Sequence, residues 1–285
     1  MIKFVLAGRR RPGDTQERYF YEWGNKHVAL MLTSPSVMKA FRRYSQHYVI
    51  NEVPEGALWH PRSPIGWDNF ADHWLERLED LESSLRSADY VQRMQPHSFG
   101  DKAFTLELLT SGKTLYEAPD FRNGGVKIIH FLRRRPELDQ QEFERRWSEE
   151  HGPTVVNTLS KLNVLQKYVQ SAQLPLDPSL FAGTLFEAGG VGQYSGVEEF
   201  WFKDLSALNK IAEHSEILNA IRESDRRIAQ EEGSFSMVTT ERVVWDYVSP
   251  GASTPIAAVL QAGTLEAAVD AQGYSSWNIP PTPPQ

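Results

Sequence analysis

The segments IKFVLAGRRRPGDTQERYFYEWGNKH (2–27) and VKIIHFLRRRPELDQQEFERRWSEEH (126–151) align without a gap when the chain is shifted against itself by 124 residues (126 minus 2). The shift superposes an Arg-Arg-Arg-Pro run, a tryptophan and a histidine, so that Trp23 falls on Trp147 and His27 on His151. An internal repeat indicates that one supersecondary unit occurs twice, and it decides the architecture before any single element is considered.

The repeat continues along the chain and acquires a small offset. The second strands align with the first shift, whereas WDNFADHWL (67–75) aligns with YSGVEEFWF (194–202) only when the shift grows to 127 residues (194 minus 67). This second alignment places Asp72 on Glu199 and pairs two tryptophans. A short insertion in the second copy explains the change of shift.

Both copies have the same predicted order of elements, β-α-β-β-α-β. The first strands are apolar, β-branched runs that end at a proline turn, and each is followed by a helix with apolar residues at helical spacing. Asp139 and Glu142 fit a capping box at the start of the helix in the second copy. The remaining strands are predicted at 41–50, 67–75 and 103–110 and at 164–172, 194–202 and 235–245, with second helices at 75–94 and 204–229.

This order of elements is that of the ferredoxin-like split unit. Two such units in one chain can pair their open sheets into a closed barrel, which buries edges that would otherwise promote aggregation. The sequence therefore predicts an α+β fold in which two ferredoxin-like units, residues 1–118 and 119–248, form an intramolecular pseudo-dimeric α/β barrel. A tail rich in proline, serine and alanine follows at 249–285 and is predicted to be extended.

The composition restricts the classes of partner. A net charge of −7 disfavours a nucleic-acid or anionic-membrane partner, because phosphate binding needs a basic surface. The chain has no cysteine, which excludes disulfides, thiolate metal sites and cysteine nucleophiles. No apolar run is long enough for a signal peptide or a membrane span, so a cytoplasmic location is expected. Zinc-protease, dinucleotide, nucleotide and serine-hydrolase motifs are also missing from the sequence.

Three stretches carry a resemblance to a known family. KIIHFLRRRPELDQQEFERRWSEEHGPTV (127–155) resembles the opening strand and helix of the EthD family, within the dimeric α/β-barrel superfamily. LQKYVQ (165–170) and EEFWF (198–202) resemble the next two signatures of that family. The resemblance extends over nearly all of residues 1–247.

The resemblance implies a role with small molecules, in catabolism or secondary metabolism. Members are similar to cofactor-free polyketide cyclases and dehydratases, isomerases of ring-opened lactones and anthrone-type oxygenases. The second copy follows the family pattern through His151-Gly152-Pro153, whereas the first copy has Val28-Ala29 in place of Gly-Pro. The fold is implied more directly than the reaction, because one fold hosts many activities.

His27 and His151 are the two histidines that occupy equivalent places in both copies. A histidine at the end of the first helix can transfer a proton to or from a bound substrate near neutral pH. The alternative is that it hydrogen-bonds a backbone carbonyl and fixes the exit of the helix. Because the surroundings of the two copies differ, we expect one histidine, His27, to serve chemistry and the other mainly to hold its helix.

The strands add further candidate side chains. Tyr44 and Tyr168 fall at matching positions of the second strands, where a phenol can hydrogen-bond an enolate or carbonyl oxygen or simply pack in the core. Asp72 and Glu199 lie in otherwise apolar third strands. Such a carboxylate can orient the histidine, act as a base itself, or lie solvated at a strand edge.

The first copy also contains an unusual polar loop. Arg43 and His47 share one face of its second strand, and the loop 51–66, with Trp59-His60-Pro61-Arg62, is predicted to close over that face. Arg43 or Arg62 could hold a substrate carboxylate. A surface loop with a basic face is the alternative.

These features predict an enzyme without metal or other cofactor that acts on an aromatic or aromatic-derived carboxylic acid. The expected chemistry is histidine-assisted proton transfer of the lyase or isomerase type, by decarboxylation, dehydration, cyclisation or isomerisation. The proposed catalytic residues are His27, His151, Tyr44 and Asp72, and the proposed substrate-binding residues are Arg43, His47, His60, Arg62, Tyr168 and Glu199. Haem binding or oxygenase activity in the barrel, a non-catalytic small-molecule carrier, and further homodimerisation of the chain remain open.

Overall fold

The computed structural model describes residues 1–54, 56–97, 99–122, 124–187 and 193–248, which form one closed antiparallel barrel surrounded by helices. Around the barrel the strand order is β1-β3-β2-β8-β5-β7-β6-β4. The predicted α+β class is confirmed, and the tail at 249–285 lies outside the described residues. The strands are β1 (Ile2–Arg10), β2 (Arg43–Val49), β3 (Asn69–Leu75), β4 (Gly100–Glu117), β5 (Val126–Leu132), β6 (Leu165–Gln173), β7 (Gly196–Phe202) and β8 (Phe235–Asp246).

Short helices follow the first and third strands of each half, and π-helical turns occur in all of these helical segments except the one after β7. Thr15 and Asp139 cap the first helices, since their side-chain oxygens accept hydrogen bonds from the backbone N–H groups of Arg18 (3.2 Å) and Glu142 (2.7 Å). The helices are α1 (Gln16–Tyr21), α2 (Val28–Leu32), α3 (Pro35–Ala40), α4 (Leu78–Leu85), α5 (Gln140–Arg146), α6 (Gly152–Ser160), α7 (Leu205–Ala212) and α8 (Ser215–Asp225), with π-helical turns at Glu22–His27, Tyr90–Met94 and Trp147–His151.

The single helix predicted over 204–229 is two helices. α7 ends at Ala212 and α8 begins at Ser215, because His214 has non-helical backbone angles (φ −119°, ψ 73°). The Nδ1 atom of His214 contacts the backbone carbonyl of Lys210 at 2.8 Å, which gives this terminal carbonyl a polar partner. Within the part of the chain that the structure describes, no helix is long and apolar enough to cross a membrane.

The two longest strands join the first half (residues 2–117) to the second half (residues 126–246). β4 pairs with β1 of its own half and then, from Thr110 onward, with β6. β8 pairs in the same way with β5 and then, from Thr239 onward, with β2. These two junctions close the barrel, so no open sheet edge remains between the halves.

Alternation along the strands divides the core into an interior and two outer layers. Val5, Phe70, Ile129 and Phe131 belong to an apolar cluster built almost entirely from strand residues, which fills the barrel interior. The opposite faces of the strands pack against helices, in one cluster for each half. Candidate sites therefore lie either inside the barrel or between sheet and helices.

The long loops cross from one half to the other. β2 ends beside β8, and the loop 50–68 continues over the second half, where Trp59 enters the core and the backbone carbonyl of Leu58 accepts a hydrogen bond from Arg222 (2.8 Å). The prediction that this loop closes over its own half is therefore wrong. The segment 174–187 packs on the first half instead.

Candidate active site

The strand registers define equivalent positions in the two halves. On the helix-facing side of β1 and β3, Leu6 lies opposite Ala71, and on β5 and β7, His130 lies opposite Glu198. The neighbouring glutamines confirm the equivalence, since Gln46 pairs with Ala71 and the matching glutamine of β6 pairs with Glu198. The first half therefore has two apolar side chains where the second half has a histidine and a carboxylate.

Both halves keep the same hydrogen-bonded scaffold behind these positions. Gln46 Nε2 donates to the backbone carbonyl of Trp23 (3.1 Å) and to the hydroxyl of Tyr44 (2.9 Å). The second half repeats both hydrogen bonds through Gln170, Trp147 and Tyr168, at 2.9 and 2.7 Å. The glutamine thus fixes the tyrosine against the helix that carries the histidine.

A cavity of about 140 Å³, partly open to solvent, lies between the sheet and the helices of the first half. A cavity of about 150 Å³ is large enough to bind benzene. Aromatic and aliphatic side chains supply most of the lining, among them Phe4, Leu6, Trp23, Met31, Phe41, Tyr44, Ala71, Leu85, Tyr90, Met94, Phe99 and Phe186. The polar side chains in the lining include Tyr19, His27, Asn69, His73, His97 and Thr105, and Arg9, Asp101 and Lys102 contribute charged groups.

His27 lies in this lining, at the end of the π-helical turn Glu22–His27. π-helical turns are frequent at functional sites. Burial, together with the nearby rings of His97 and His73, lowers the pKa of His27 from 6.5 to about 3, so that the imidazole is neutral at pH 7. Its buried Nδ1 atom has no hydrogen-bond partner among the described residues.

Tyr44 lines the same cavity. Its oxygen interacts with Gln46 and with the Trp23 side chain, and burial raises its pKa well above 10. A hydroxyl that accepts two hydrogen bonds still has its own proton to donate. The ring of His73 stacks on that of Tyr44, with centroids 4.5 Å apart, and burial lowers the pKa of His73 to about 4.

Several buried polar atoms of the lining have no partner within the described ranges. They are Nδ1 of His27, the hydroxyl of Tyr90 and Nε2 of His97. A buried polar atom without a hydrogen bond destabilises the folded state, so each such atom in a native protein needs a reason. Three of them around one apolar cavity indicate a ligand with polar groups.

The equivalent space in the second half is filled by a buried cluster around Glu198. Its Oε1 accepts hydrogen bonds from the indole of Trp147 and the hydroxyl of Tyr168 (2.6 Å), and it lies 3.3 Å from Nε2 of His151. Burial opposes ionisation of both partners, but their mutual attraction raises the pKa of His151 and holds that of Glu198 well below its ordinary value. Nδ1 of His130 lies 3.5 Å from the other carboxylate oxygen.

The loop that crosses from the first half completes this filling. The indole of Trp59 packs edge-on against His130 and Phe200, with centroids 4.5 and 4.9 Å away. The next residue, His60, is also buried, and its Nε2 lies 3.1 Å from Oδ2 of Asp225. At the position of the first-half cavity, the second half therefore holds an indole and a carboxylate. A different, partly open cavity of about 180 Å³ is lined by His151, Glu150, Ser224 and Arg227.

A separate cluster of charged side chains occupies the barrel interior. Lys127 Nζ lies 2.5 Å from Glu199 and 4.0 Å from Asp72, and Lys3 forms an ion pair with the same Glu199. Burial alone would raise the pKa of Glu199, but the two lysines lower it to about 2. His47 Nε2 lies 3.4 Å from Asp72, and the pKa of Asp72 is likewise held well below its ordinary value despite burial. These ionised groups neutralise each other inside the barrel.

The predicted site residues are thus distributed over separate places. His27 and Tyr44 meet at the first-half cavity, whereas His151 and Tyr168 surround Glu198. Arg43 lies between two carboxylates of β8, and Arg62 donates to the backbone carbonyl of Ile50 (2.9 Å). The prediction of one pocket built from Arg43, His47, His60 and Arg62 is wrong, because the strand and the loop point to different sides of the sheet.

Two lining residues, Ala71 and His97, were not predicted from the sequence, although the alignment of the two copies contains a signal for them. The shift of 127 places Ala71 on Glu198 and His97 on Ser224. Ser224 Oγ contacts Nδ1 of His151 at 3.2 Å, and the ring of His97 lies 6.1 Å from that of His27. At these positions the two aligned copies have different residues, and this difference is the signal in the sequence that the two sites are not the same.

Comparisons with known proteins agree with this architecture. Residues 135–232 match the EthD domain, which confirms the resemblance noted in the sequence. The chain is similar to a chalcone isomerase, cfoK, of Aspergillus candidus, with 24% identity over 217 residues that cover 72% of this chain and 81% of that protein.

Solved structures resemble this chain at low sequence identity. An anthrone oxidase-like protein superposes with a TM-score of 0.56 and 11% identity, covering 88% of this chain and 95% of that one. A variant of chlorite dismutase from Candidatus Nitrospira defluvii gives a TM-score of 0.42 and 11% identity, over 84% and 90% of the two chains. The fold of the chain is therefore similar to that of the anthrone oxidase-like protein.

Proposed function

Since this chain carries an EthD domain within an eight-stranded barrel, we propose that it is a cofactor-independent isomerase acting on an aromatic carbonyl compound in the first-half cavity. The observation that supports this most is the placement of neutral His27 and the free phenolic proton of Tyr44 in one apolar cavity of aromatic size. Similarity to a chalcone isomerase, at 24% identity, supports an isomerase acting on aromatic substrates.

The proposed reaction needs two complementary groups. Neutral His27 accepts a proton from an acidic hydroxyl or carbon of the substrate, while Tyr44 donates a hydrogen bond to the carbonyl oxygen that becomes an enolate. The imidazolium then returns the same proton to a different carbon. In an ortho-hydroxychalcone, the phenol oxygen bonds to the β carbon of the enone and the α carbon receives the proton, so no atom or electron is gained or lost.

The nature of the lining favours an uncharged aromatic carbonyl over the aromatic carboxylate expected from the sequence. Arg43 and Arg62, the two expected carboxylate ligands, are bound elsewhere. Arg9, which lines the cavity, is itself bound to Asp101 (2.9 Å). The other cation of the lining, Lys102, is exposed to solvent, so a neutral ring fits the apolar part of the cavity better than a carboxylate does.

We also infer that each half is a ferredoxin-like unit, with boundaries at 1–118 and 119–248. The strand order β4-β1-β3-β2 of the first half recurs as β8-β5-β7-β6 in the second, which supports this division. On this proposal, the chain contains within itself the pair of units that a dimeric barrel obtains from two chains, and only one of its two sites is open.

The test is a matched pair of histidine variants assayed with ortho-hydroxychalcone by loss of the enone absorbance. His27→Ala should lower kcat/KM by about 100-fold or more, since positioned acid–base groups contribute about 10²–10⁴. His151→Ala should retain turnover while losing stability, because it leaves Glu198 without a cationic partner. Full activity in folded His27→Ala would refute the assignment.

Two other results would replace this function. Substrate binding without turnover by the wild-type protein would indicate a carrier. A Soret band after expression with added haem would indicate haem binding, and the same His27→Ala variant would show whether the cavity is responsible.

A further inference from the structure

Three hydrogen-bond donors converge on one carboxylate oxygen in the second half. Oε1 of Glu198 receives the indole N–H of Trp147 and the O–H of Tyr168 (2.6 Å), and Nε2 of His151 lies 3.3 Å away. All of these groups are fully or almost fully buried. An arrangement of this kind stabilises an oxygen anion, because charge-assisted hydrogen bonds are strong where water is excluded.

The first half has the same kinds of donor and lacks the carboxylate. Trp23, Tyr44 and His27 line the cavity, and Ala71 occupies the register position of Glu198. Without a carboxylate, the Trp23 side chain interacts with the Tyr44 oxygen, and the phenolic proton is left to donate elsewhere. The cavity therefore lies where the second half holds an anionic oxygen.

The position of the Trp59 indole in the second half also has an equivalent in the first half. It lies against His130 and Phe200, the residues that correspond by register to Leu6 and His73 of the first half. Both Leu6 and His73 line the cavity. An aromatic ring placed there would lie next to the oxygen position, as the Trp59 ring lies next to the Glu198 cluster.

From this correspondence we propose that the first-half cavity is an oxyanion site for an aromatic ligand, in which Tyr44 and His27 hold an enolate or phenolate oxygen and Trp23 holds the Tyr44 hydroxyl in place. Glu198 and Trp59 of the second half are the internal counterparts of that oxygen and ring. The inference rests on the proposed active site and specifies its substrate class: an aryl ketone or enone whose carbonyl oxygen gains negative charge during the reaction.

The second half also indicates how the anion would change His27. Beside Glu198, the pKa of His151 is raised despite complete burial, whereas beside Ala71 the pKa of His27 falls to about 3. A substrate oxyanion at the Glu198 position would therefore favour protonated His27. The proton accepted by His27 and the charge formed on the enolate stabilise each other.

Binding of para-nitrophenol and para-nitrotoluene tests the oxyanion site without turnover. The two probes have similar size, but only the first forms a phenolate, and its absorbance reports the protonation state of the bound molecule. At pH 9 the wild-type protein should bind the phenolate at least ten-fold more tightly than the toluene. Tyr44→Phe should reduce phenolate affinity about ten-fold and leave the affinity for para-nitrotoluene unchanged.

Tyr168→Phe is the matched control, since it removes the equivalent hydroxyl from the filled half and should not change the binding of either probe. Equal affinity of the wild-type protein for the two probes would overturn the proposal, and this comparison requires no variant to fold. Preferential phenolate binding in a protein that does not convert chalcones would retain the oxyanion site and refute the proposed isomerase.

Discussion

The two halves of this barrel use one hydrogen-bonded scaffold for opposite purposes. Gln46 and Gln170 fix a tyrosine and a tryptophan in the same way, yet the space in front of them is a cavity in the first half and a buried ionic cluster in the second. The decisive difference is one side chain, Ala71 against Glu198.

The comparison separates stability from function. In the second half the indole of Trp147 and the hydroxyl of Tyr168 both donate to Glu198, and the crossing loop covers the cluster with Trp59. In the first half Ala71 occupies the register position of Glu198, and three buried polar atoms of the lining, Nδ1 of His27, the hydroxyl of Tyr90 and Nε2 of His97, have no partner in the described structure. A hollow site is less stable than a filled one, but it can bind a complementary ligand.

Removal of Glu198 is expected to have the largest effect. Glu198→Ala leaves His151 buried without its counter-ion, and breaking a buried pair costs about 3–5 kcal/mol. Urea unfolding would measure this loss, while the chalcone turnover of the folded protein should not change. Glu198→Gln retains an acceptor oxygen and should lose less. A loss below about 1 kcal/mol in Glu198→Ala would show that the cluster contributes little to stability.

The reciprocal change, Ala71→Glu, should convert the first half into a copy of the second. The new carboxylate would occupy the oxyanion position, raise the pKa of His27 from about 3 and block the ligand, so turnover should fall by about 100-fold or more. NMR titration of the His27 ring would follow the pKa directly. Ala71→Leu is the steric control, because it fills the space without a charge. Turnover retained in Ala71→Glu would contradict the placement of the site.

The repeat made the fold predictable, because paired strands and helices follow from residue periodicity that both copies share. The filling of each site was not predictable in the same way. Trp59 and His60 belong to the first half in sequence, but β2 ends beside β8, so the loop that carries them packs on the second half. The position of this loop follows from the pairing of β2 with β8, and residue patterns within one copy do not predict that pairing.

The charged residues illustrate the same limit. Asp72 and Glu199 were recognised as unusual carboxylates in apolar strands, and the structure pairs them with Lys127 from a strand of the second half inside the barrel. The alternation of side chains along a strand predicts which residues share one face of the sheet, but it does not predict which face borders a cavity. His27 and Tyr44 were identified from the sequence because their equivalents recur, whereas Ala71 is informative only as the residue that replaces Glu198.

The smallest expected effect concerns Glu107 and the dependence of stability on pH. It lies opposite Leu6 on β4, where the second half has Ser236 opposite His130, and burial raises its pKa from 4.5 to about 7. Between these values the unfolded chain is ionised while the folded protein keeps its proton, so stability falls as pH rises. Glu107→Gln lacks this dependence.

The stability of Glu107→Gln relative to wild type should therefore increase by about 2 kcal/mol between pH 5 and pH 8, since one pKa unit corresponds to about 1.4 kcal/mol. Urea unfolding at the two pH values would measure it. Glu117→Gln, at an exposed carboxylate of the same strand, should change by less than about 0.5 kcal/mol. Parallel pH curves for wild type and Glu107→Gln would mean that Glu107 is already ionised in the folded protein, and the polar groups of the first-half wall would then include a second buried anion.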